Sequence, residues 1–233
     1  MDIVLIAGLW LPATVWDRVA DELRRRGHRP TAVTLPGVDD GSTTATLEDQ
    51  LAAVLAVVDD AGEQVVVVGH SAASTLAWLA TDRRPDAVAT AVMIGGFPNA
   101  TGTPYADFFA VTDGIMAFPG WGPFEGPDSD DLDASARRHL ESIAVPVPES
   151  VARATVELVD ERRYAVPVTL VCPEFGPDEA RAWLADGQLP ELARTDQVRF
   201  VDIDSGHWPM ITRPEGLAEI LDDIATTNAD VAG

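Results

Sequence analysis

The stretch Val65-Val66-Val67-Val68-Gly69-His70-Ser71-Ala72-Ala73 joins four consecutive β-branched residues to a turn of small ones. Four apolar β-branched residues in a row fit a strand buried on both faces, as in the middle of a parallel sheet. From residue 71 to 82 the pattern becomes helical, with Leu76, Leu79 and Ala80 directed inward. A serine on so sharp a strand-to-helix turn presents its hydroxyl above the sheet edge, beside the helix N-terminus. Strand and helix backbones approach closely there, which demands small neighbours. Ala73 stands where the common G-x-S-x-G pattern has its second glycine.

Outward from this turn the chain alternates short apolar runs with amphipathic stretches. Ile3 to Ile6 reads as a strand ending at Gly8, followed by Val15, Trp16, Val19, Ala20 and Leu23 at helical spacing up to Gly27. Thr31 to Leu35 reads as a strand stopped by Pro36-Gly37. Thr46-Leu47-Glu48-Asp49 has capping-box form ahead of a helix whose apolar face is Leu47, Leu51, Val54, Leu55 and Val58. Strands are expected again at Val88 to Ile94, Val166 to Cys172 and Val198 to Ile203. Helices are expected at 178–192 and 214–225, with a frayed tail from Thr226. Six strands alternating with helices predict one α/β domain with a mostly parallel six-stranded sheet.

Residues 97–165 break the alternation. They hold the loop Phe118-Pro119-Gly120-Trp121-Gly122-Pro123, an acidic run from Asp128 to Asp133, and two expected helices. The stretch is too long for an ordinary connection. It reads as a helical lid inserted over the C-terminal edge of the sheet, where open α/β folds place their ligands. The expected division is a core of residues 1–96 and 166–233 and a lid of 97–165. The acidic run reads as solvated lid surface, since it lacks the oxygen-ligand spacing of a calcium loop.

Composition narrows the function. The chain has 233 residues and is 46% apolar, enough for a sizeable core. Its formal charge is −22, and all 16 of its basic residues are arginine. Such a charge argues against nucleic-acid partners and against docking on anionic membranes. Without lysine there is no Schiff-base chemistry. Cys172 is the single cysteine, so no internal disulfide forms, and a reducing, cytoplasmic setting is expected. It reads as a buried strand residue. Asp2 and the lack of a basic residue before Arg18 argue against a signal peptide, and no apolar run is long enough to span a membrane.

The arrangement of strand, serine turn and helix resembles the α/β-hydrolase family from Ile3 to Ala225, without that fold's first two strands. Ile6-Ala7-Gly8-Leu9-Trp10 looks like the family's oxyanion loop, with Ala7 in place of histidine. This loop, its spacing to Trp16, and the later Ser205-Gly206-His207-Trp208-Pro209-Met210 look closest to the small methylesterase and hydroxynitrile-lyase branch and its bacterial relatives. The resemblance implies Ser71 as nucleophile, His207 as base, and the amides of Leu9 and Ala72 as oxyanion donors. These residue types suit the chemistry. A serine hydroxyl needs a base to take its proton, neutral histidine does so near pH 7, and charge growing on a carbonyl oxygen needs N–H donors. His70 reads as part of the turn, and His28 and His139 as surface residues.

The third member departs from the family. Phe175 aligns with the usual aspartate, leaving Glu174 and then Asp178 as the nearest candidate acids to orient the imidazole, with another acid or none also open. Seven of the fifteen aromatics fall between residues 97 and 124, which points to an apolar pocket. Trp10, Phe97, Phe109, Trp121 and Trp208 are the expected substrate contacts. The expected activity is cofactor-free, metal-free serine hydrolysis of a carboxylic ester or lactone of a hydrophobic or aromatic small molecule. A non-hydrolytic lyase or cyclase on the same fold stays open, although the lysine of the plant hydroxynitrile lyases is missing. A binding module without catalysis stays open through Phe175. Oligomeric state is not legible.

Overall fold

A computed structural model of the chain describes residues 1–231. Its strands are β1 (Asp2–Ile6), β2 (Arg29–Ala32), β3 (Val65–His70), β4 (Val88–Ile94), β5 (Ile115–Met116), β6 (Val147–Pro148), β7 (Val168–Cys172) and β8 (Val198–Asp202). Its helices are α1 (Asp17–Arg25), α2 (Leu47–Asp60), α3 (Ala73–Arg83), α4 (Ala134–Ile143), α5 (Glu149–Ala152), α6 (Pro177–Ala185), α7 (Pro209–Thr212) and α8 (Pro214–Val231). Six strands form one sheet in the order β2-β1-β3-β4-β7-β8, with every pairing parallel. The six-stranded α/β sheet read from the sequence is therefore the one observed, with all its strands parallel.

The four valines of β3 are fully buried, and they divide the core by alternation. Val65 and Val67 join the cluster of α2 and α3, with Leu51, Val54, Leu76 and Leu79. Val66 and Val68 point the other way, into Trp16, Leu23, Leu217 and Leu221 from the α1 and α8 side. A third cluster, around Trp78, Leu170, Cys172 and Phe175, lies toward β7 and α6. Both faces of β3 are thus covered, which is why a run with no polar alternation folds as a strand here.

Local chemistry sets the element ends. Thr46 and Asp49 form the capping box of α2, each side chain bonding the other's backbone N–H. β2 begins at Arg29, two residues before the expected start, and includes Pro30. A proline is tolerated because β2 is an edge strand. The helix expected over 178–192 ends at Ala185, because Gly187 takes a left-handed φ of 74° and Pro190 follows. The last helix runs past the expected end at Ala225 to Val231, so the expectation of a frayed tail from Thr226 is not met; positions 232 and 233 lie outside the described residues. His28 is not a surface residue: its side chain is largely buried and its Nε2 lies 2.8 Å from Asp222, which ties the start of β2 to α8.

The 97–165 stretch contains the antiparallel pair β5–β6, α4 and the single turn of α5. It leaves β4 at Asn99, whose N–H donates to the Thr75 hydroxyl and whose amide donates to the Pro104 and Tyr105 carbonyls. It returns through Arg163, a buried guanidinium held between Asp82 of α3 and Glu191. Trp78 and Tyr164 also donate to Glu191. Buried charges so fully partnered fix where the segment rejoins the core.

Candidate active site

Ser71 follows β3 directly, with φ at +54°, a left-handed conformation that costs energy for a residue with a Cβ. Its N–H donates to the Ile94 carbonyl at 2.8 Å, and its carbonyl accepts from Ser74 N–H at 3.0 Å. The turn is closed so tightly that two glycines are obligatory. A Cβ on Gly69 would lie 2.2 Å from the Ala73 carbonyl oxygen, and one on Gly96 2.3 Å from that of Ser71. Ala73 itself fits with its methyl fully buried in the α3 cluster. Gly96→Ala is expected to lower stability by about 3 kcal/mol, because the clash is with backbone and cannot be relieved by a rotamer. A urea unfolding midpoint unchanged from the parent would contradict this.

His207 lies between β8 and α7. Its Nε2 accepts from the Ser71 hydroxyl at 2.9 Å, and its Nδ1–H donates to Glu174 Oε1 at 2.7 Å. Both acid and base are mostly buried. Gly95, with φ at +58°, leaves the room this pair occupies, since a Cβ there would lie 3.2 Å from His207 Nδ1. Of the two acids the sequence offers, Glu174 reaches the imidazole. Asp178 does not: it is fully exposed in the first turn of α6 and pairs with Arg181. Phe175, at the position aligned with the family's aspartate, packs in the core against Phe97 and Trp183.

The imidazole's loop is held from three sides. His207 N–H donates to the Asp128 carbonyl and Gly206 N–H to Asp131 Oδ2, both at 2.8 Å. A side chain on Gly206 would collide with the Asp128 carbonyl. From below, His70 Nε2–H donates to the His207 carbonyl at 2.7 Å. Burial, and then the neighbouring His207, pull the His70 pKa down to about 3, so this ring is a neutral strut and not a second base. The acidic run is therefore not simply a solvated surface: Asp128 and Asp131 seat the loop of His207, and Asp133 caps α4.

Leu9 and Ala72 flank Ser71, and among the described residues neither N–H donates to a protein acceptor. The loop carrying Leu9 is tied to the 97–165 segment. Trp10, at φ +67°, donates from Nε1 to the Met116 carbonyl at 3.1 Å, and its own carbonyl accepts from Val145 N–H at 2.8 Å.

A cavity of about 300 Å³ opens on Ser71 and His207. Trp10, Phe109, Trp121 and Trp208, four of the five aromatics singled out from the sequence, line it together with Phe118 and Phe124. Their rings touch at centroid distances from 5.3 to 6.2 Å, so the wall is one continuous aromatic surface. Phe97 is not part of it. It lies on the other side of Ser71, in a second cavity. Cys172 is buried, and burial, with Asp202 next, pushes its thiol up to about 12, which leaves it unreactive. Among the described residues no group of three or more His, Cys, Asp or Glu side chains is placed to hold a metal ion, and no helix is long and apolar enough to cross a membrane.

Comparison with known proteins agrees with this architecture. A family model described as the alpha/beta hydrolase family matches residues 3–220. Esterase PIR7B of Oryza sativa subsp. japonica is 36% identical over 98 residues, covering 39% of this chain and 37% of the rice protein. The chain thus aligns with about two fifths of the length of the rice esterases. Methylesterase 7 of Arabidopsis thaliana is 25% identical over 254 residues and covers 95% of both chains. Among solved structures, an extracellular alpha/beta-hydrolase from a Paenibacillus species superposes with a TM-score of 0.77 at 18% identity, over 95% of this chain and 97% of that one.

Proposed function

The chain belongs to the alpha/beta hydrolase family, and from that premise we propose that it is a serine hydrolase cleaving carboxylic esters or lactones of hydrophobic or aromatic small molecules. One observation carries the reading: Ser71, His207 and Glu174 form an unbroken hydrogen-bonded relay of 2.9 and 2.7 Å at the mouth of an aromatic cavity. The similarity to rice esterases and an Arabidopsis methylesterase supports the same class. The 97–165 segment, read as a lid, supplies much of the aromatic wall.

In this mechanism the substrate carbonyl enters above Ser71. Ser71 Oγ bonds to the carbonyl carbon while its proton moves to His207 Nε2. Glu174 accepts the Nδ1–H throughout, fixing the tautomer and offsetting the charge that forms on the imidazole. The N–H groups of Leu9 and Ala72 stabilise the negative oxygen. When the tetrahedral species collapses, the carbon–oxygen bond to the leaving group breaks and His207 returns its proton to that oxygen. His207 then takes a proton from water, whose oxygen attacks the acyl-serine. Collapse releases the carboxylic acid, and Ser71 recovers its proton. No cofactor enters. The aromatic wall holds the apolar part of the substrate, and the lone cysteine suits a reducing, cytoplasmic setting.

The absence of an aspartate at position 175 was the one argument for an inactive binding module. The contact of Glu174 with His207 Nδ1 weighs against that argument. The test is intact mass after treatment with a fluorophosphonate, for the parent protein and Ser71→Ala. One adduct on the parent and none on the variant are expected. A folded parent protein that takes no adduct would overturn the hydrolase reading.

A further inference from the structure

Ser71 borders two cavities of opposite character. The 300 Å³ cavity is walled by aromatic and aliphatic side chains, with His207 and His70 as the other polar groups at its floor. The second, about 590 Å³, lies beyond Ser71 and Ala72 and shares only Ser71 and Phe108 with the first. Its wall holds three rings in mutual contact: Phe97 to Phe175 at 5.5 Å, Phe97 to Trp183 at 5.6 Å, and Phe175 to Trp183 at 5.0 Å.

The polar groups of this second cavity are lopsided. Asp128, Glu174 and Glu179 all reach it, and no arginine or histidine side chain lines it. Among the described residues neither Asp128 nor Glu179 forms an ion pair. Glu174 spends Oε1 on His207, and its Oε2 is buried without any partner. The crowding is visible in Asp128, whose carboxyl is pushed above its usual range by burial and then by Glu174. Carboxylates and ring faces around one space, with no cation supplied by the protein, are complementary to a compact organic cation.

We propose that the second cavity receives an ammonium-bearing half of the ester substrate, while its apolar half occupies the 300 Å³ cavity and the scissile carbonyl sits between them at Ser71. This rests on the hydrolase reading above and names its substrate class: esters that carry a tertiary or quaternary amine on one side of the ester bond and an apolar group on the other. The net charge of −22 would draw any cation toward the protein, but only at long range. The rings and unpaired carboxylates act locally, so the two contributions separate with salt.

The test uses two pairs of isosteric esters that differ by a quaternary nitrogen in place of a carbon. One pair is phenylacetylcholine and 3,3-dimethylbutyl phenylacetate. The other is the benzyl ester of trimethylglycine and benzyl 3,3-dimethylbutanoate. Each kcat/KM is divided by the ester's own hydroxide rate, which removes the inductive effect of the cation. At about 0.5 M salt, where the screening length is about 4 Å, the cationic member of at least one pair is expected to be about tenfold better. Glu179→Gln and Trp183→Leu are each expected to cut that ratio at least about threefold. A ratio near one in both pairs, or a ratio that neither variant lowers, overturns the inference while the neutral esters still turn over. If no ester turns over and Ser71 takes no fluorophosphonate, the hydrolase reading fails first and this inference falls with it.

Discussion

His207→Ala is expected to lower kcat for hydrolysis of an activated phenyl ester by about 10⁶-fold, and Ser71→Ala to lower it equally. The reason is the path of one proton. The Ser71 hydroxyl donates to His207 Nε2, and among the described residues no other base is hydrogen-bonded to it. Without the imidazole the nucleophile stays an un-ionised alcohol. The remaining acid, Glu174, makes no hydrogen bond to Ser71; its bond in the site is to His207 Nδ1. Alanine keeps the backbone carbonyl that accepts from His70 and the N–H that donates to Asp128, so the loop stays seated and the loss reports chemistry. Groups that act as one unit are non-additive, so the double variant falls no further than either single one. Steady-state rates checked against the uncatalysed reaction provide the measurement. A His207→Ala protein that keeps more than about one hundredth of the parent rate would place the base elsewhere.

How much of this was legible in the sequence depends on the range of each signal. The strand of four valines, the small-residue turn and the capping box at Thr46 are local patterns, and each folds as its own residues dictate. Ser71 and His207 were readable for the same reason: each lies in a short motif at a strand end. Contacts between distant residues were not readable. The bond from Gly206 to Asp131 spans 75 positions, and a run of acids gives no sign that one of them will accept a particular amide. The pairing of His28 with Asp222 spans 194 positions, and a histidine among arginines looks exposed. Phe97 was grouped with the other aromatics of its segment because a Pro/Gly-rich stretch has no period that assigns faces. The structure sends it across Ser71 from them. The 97–165 segment also anchors two loops of the site. Through Met116 and Val145 it fixes Trp10, and through Asp128 and Asp131 it fixes the loop of His207.

The sequence left the acid open between Glu174, Asp178 four positions on, and another acid or none, and the second large expected effect decides it by activity. Glu174→Gln is expected to lower kcat by about 10⁴-fold, and Asp178→Asn to stay within about twofold of the parent. Glutamine nearly matches glutamate in shape, so it can fill the same space beside Gly95. It cannot supply the negative charge that offsets the imidazolium, and its amide N–H₂ can present a donor to Nδ1, which turns the imidazole to the tautomer whose Nε2 carries a proton and can no longer accept from Ser71. The 2.7 Å contact would survive in either orientation, so the loss would come from charge and tautomer with the geometry intact. Asp178 is fully exposed and paired with Arg181 on the surface of α6, where removing a charge reaches nothing at Ser71. Glu174→Asp adds a distinction: one methylene shorter, it keeps the charge but loses reach from a backbone held by the packing of Phe175, so its rate falls between the parent and Glu174→Gln. Rates for the three variants, with fluorophosphonate labelling followed in time, check all of this. If Glu174→Gln labels and turns over like the parent, the imidazole is oriented by its loop contacts alone and Glu174 has no part in catalysis.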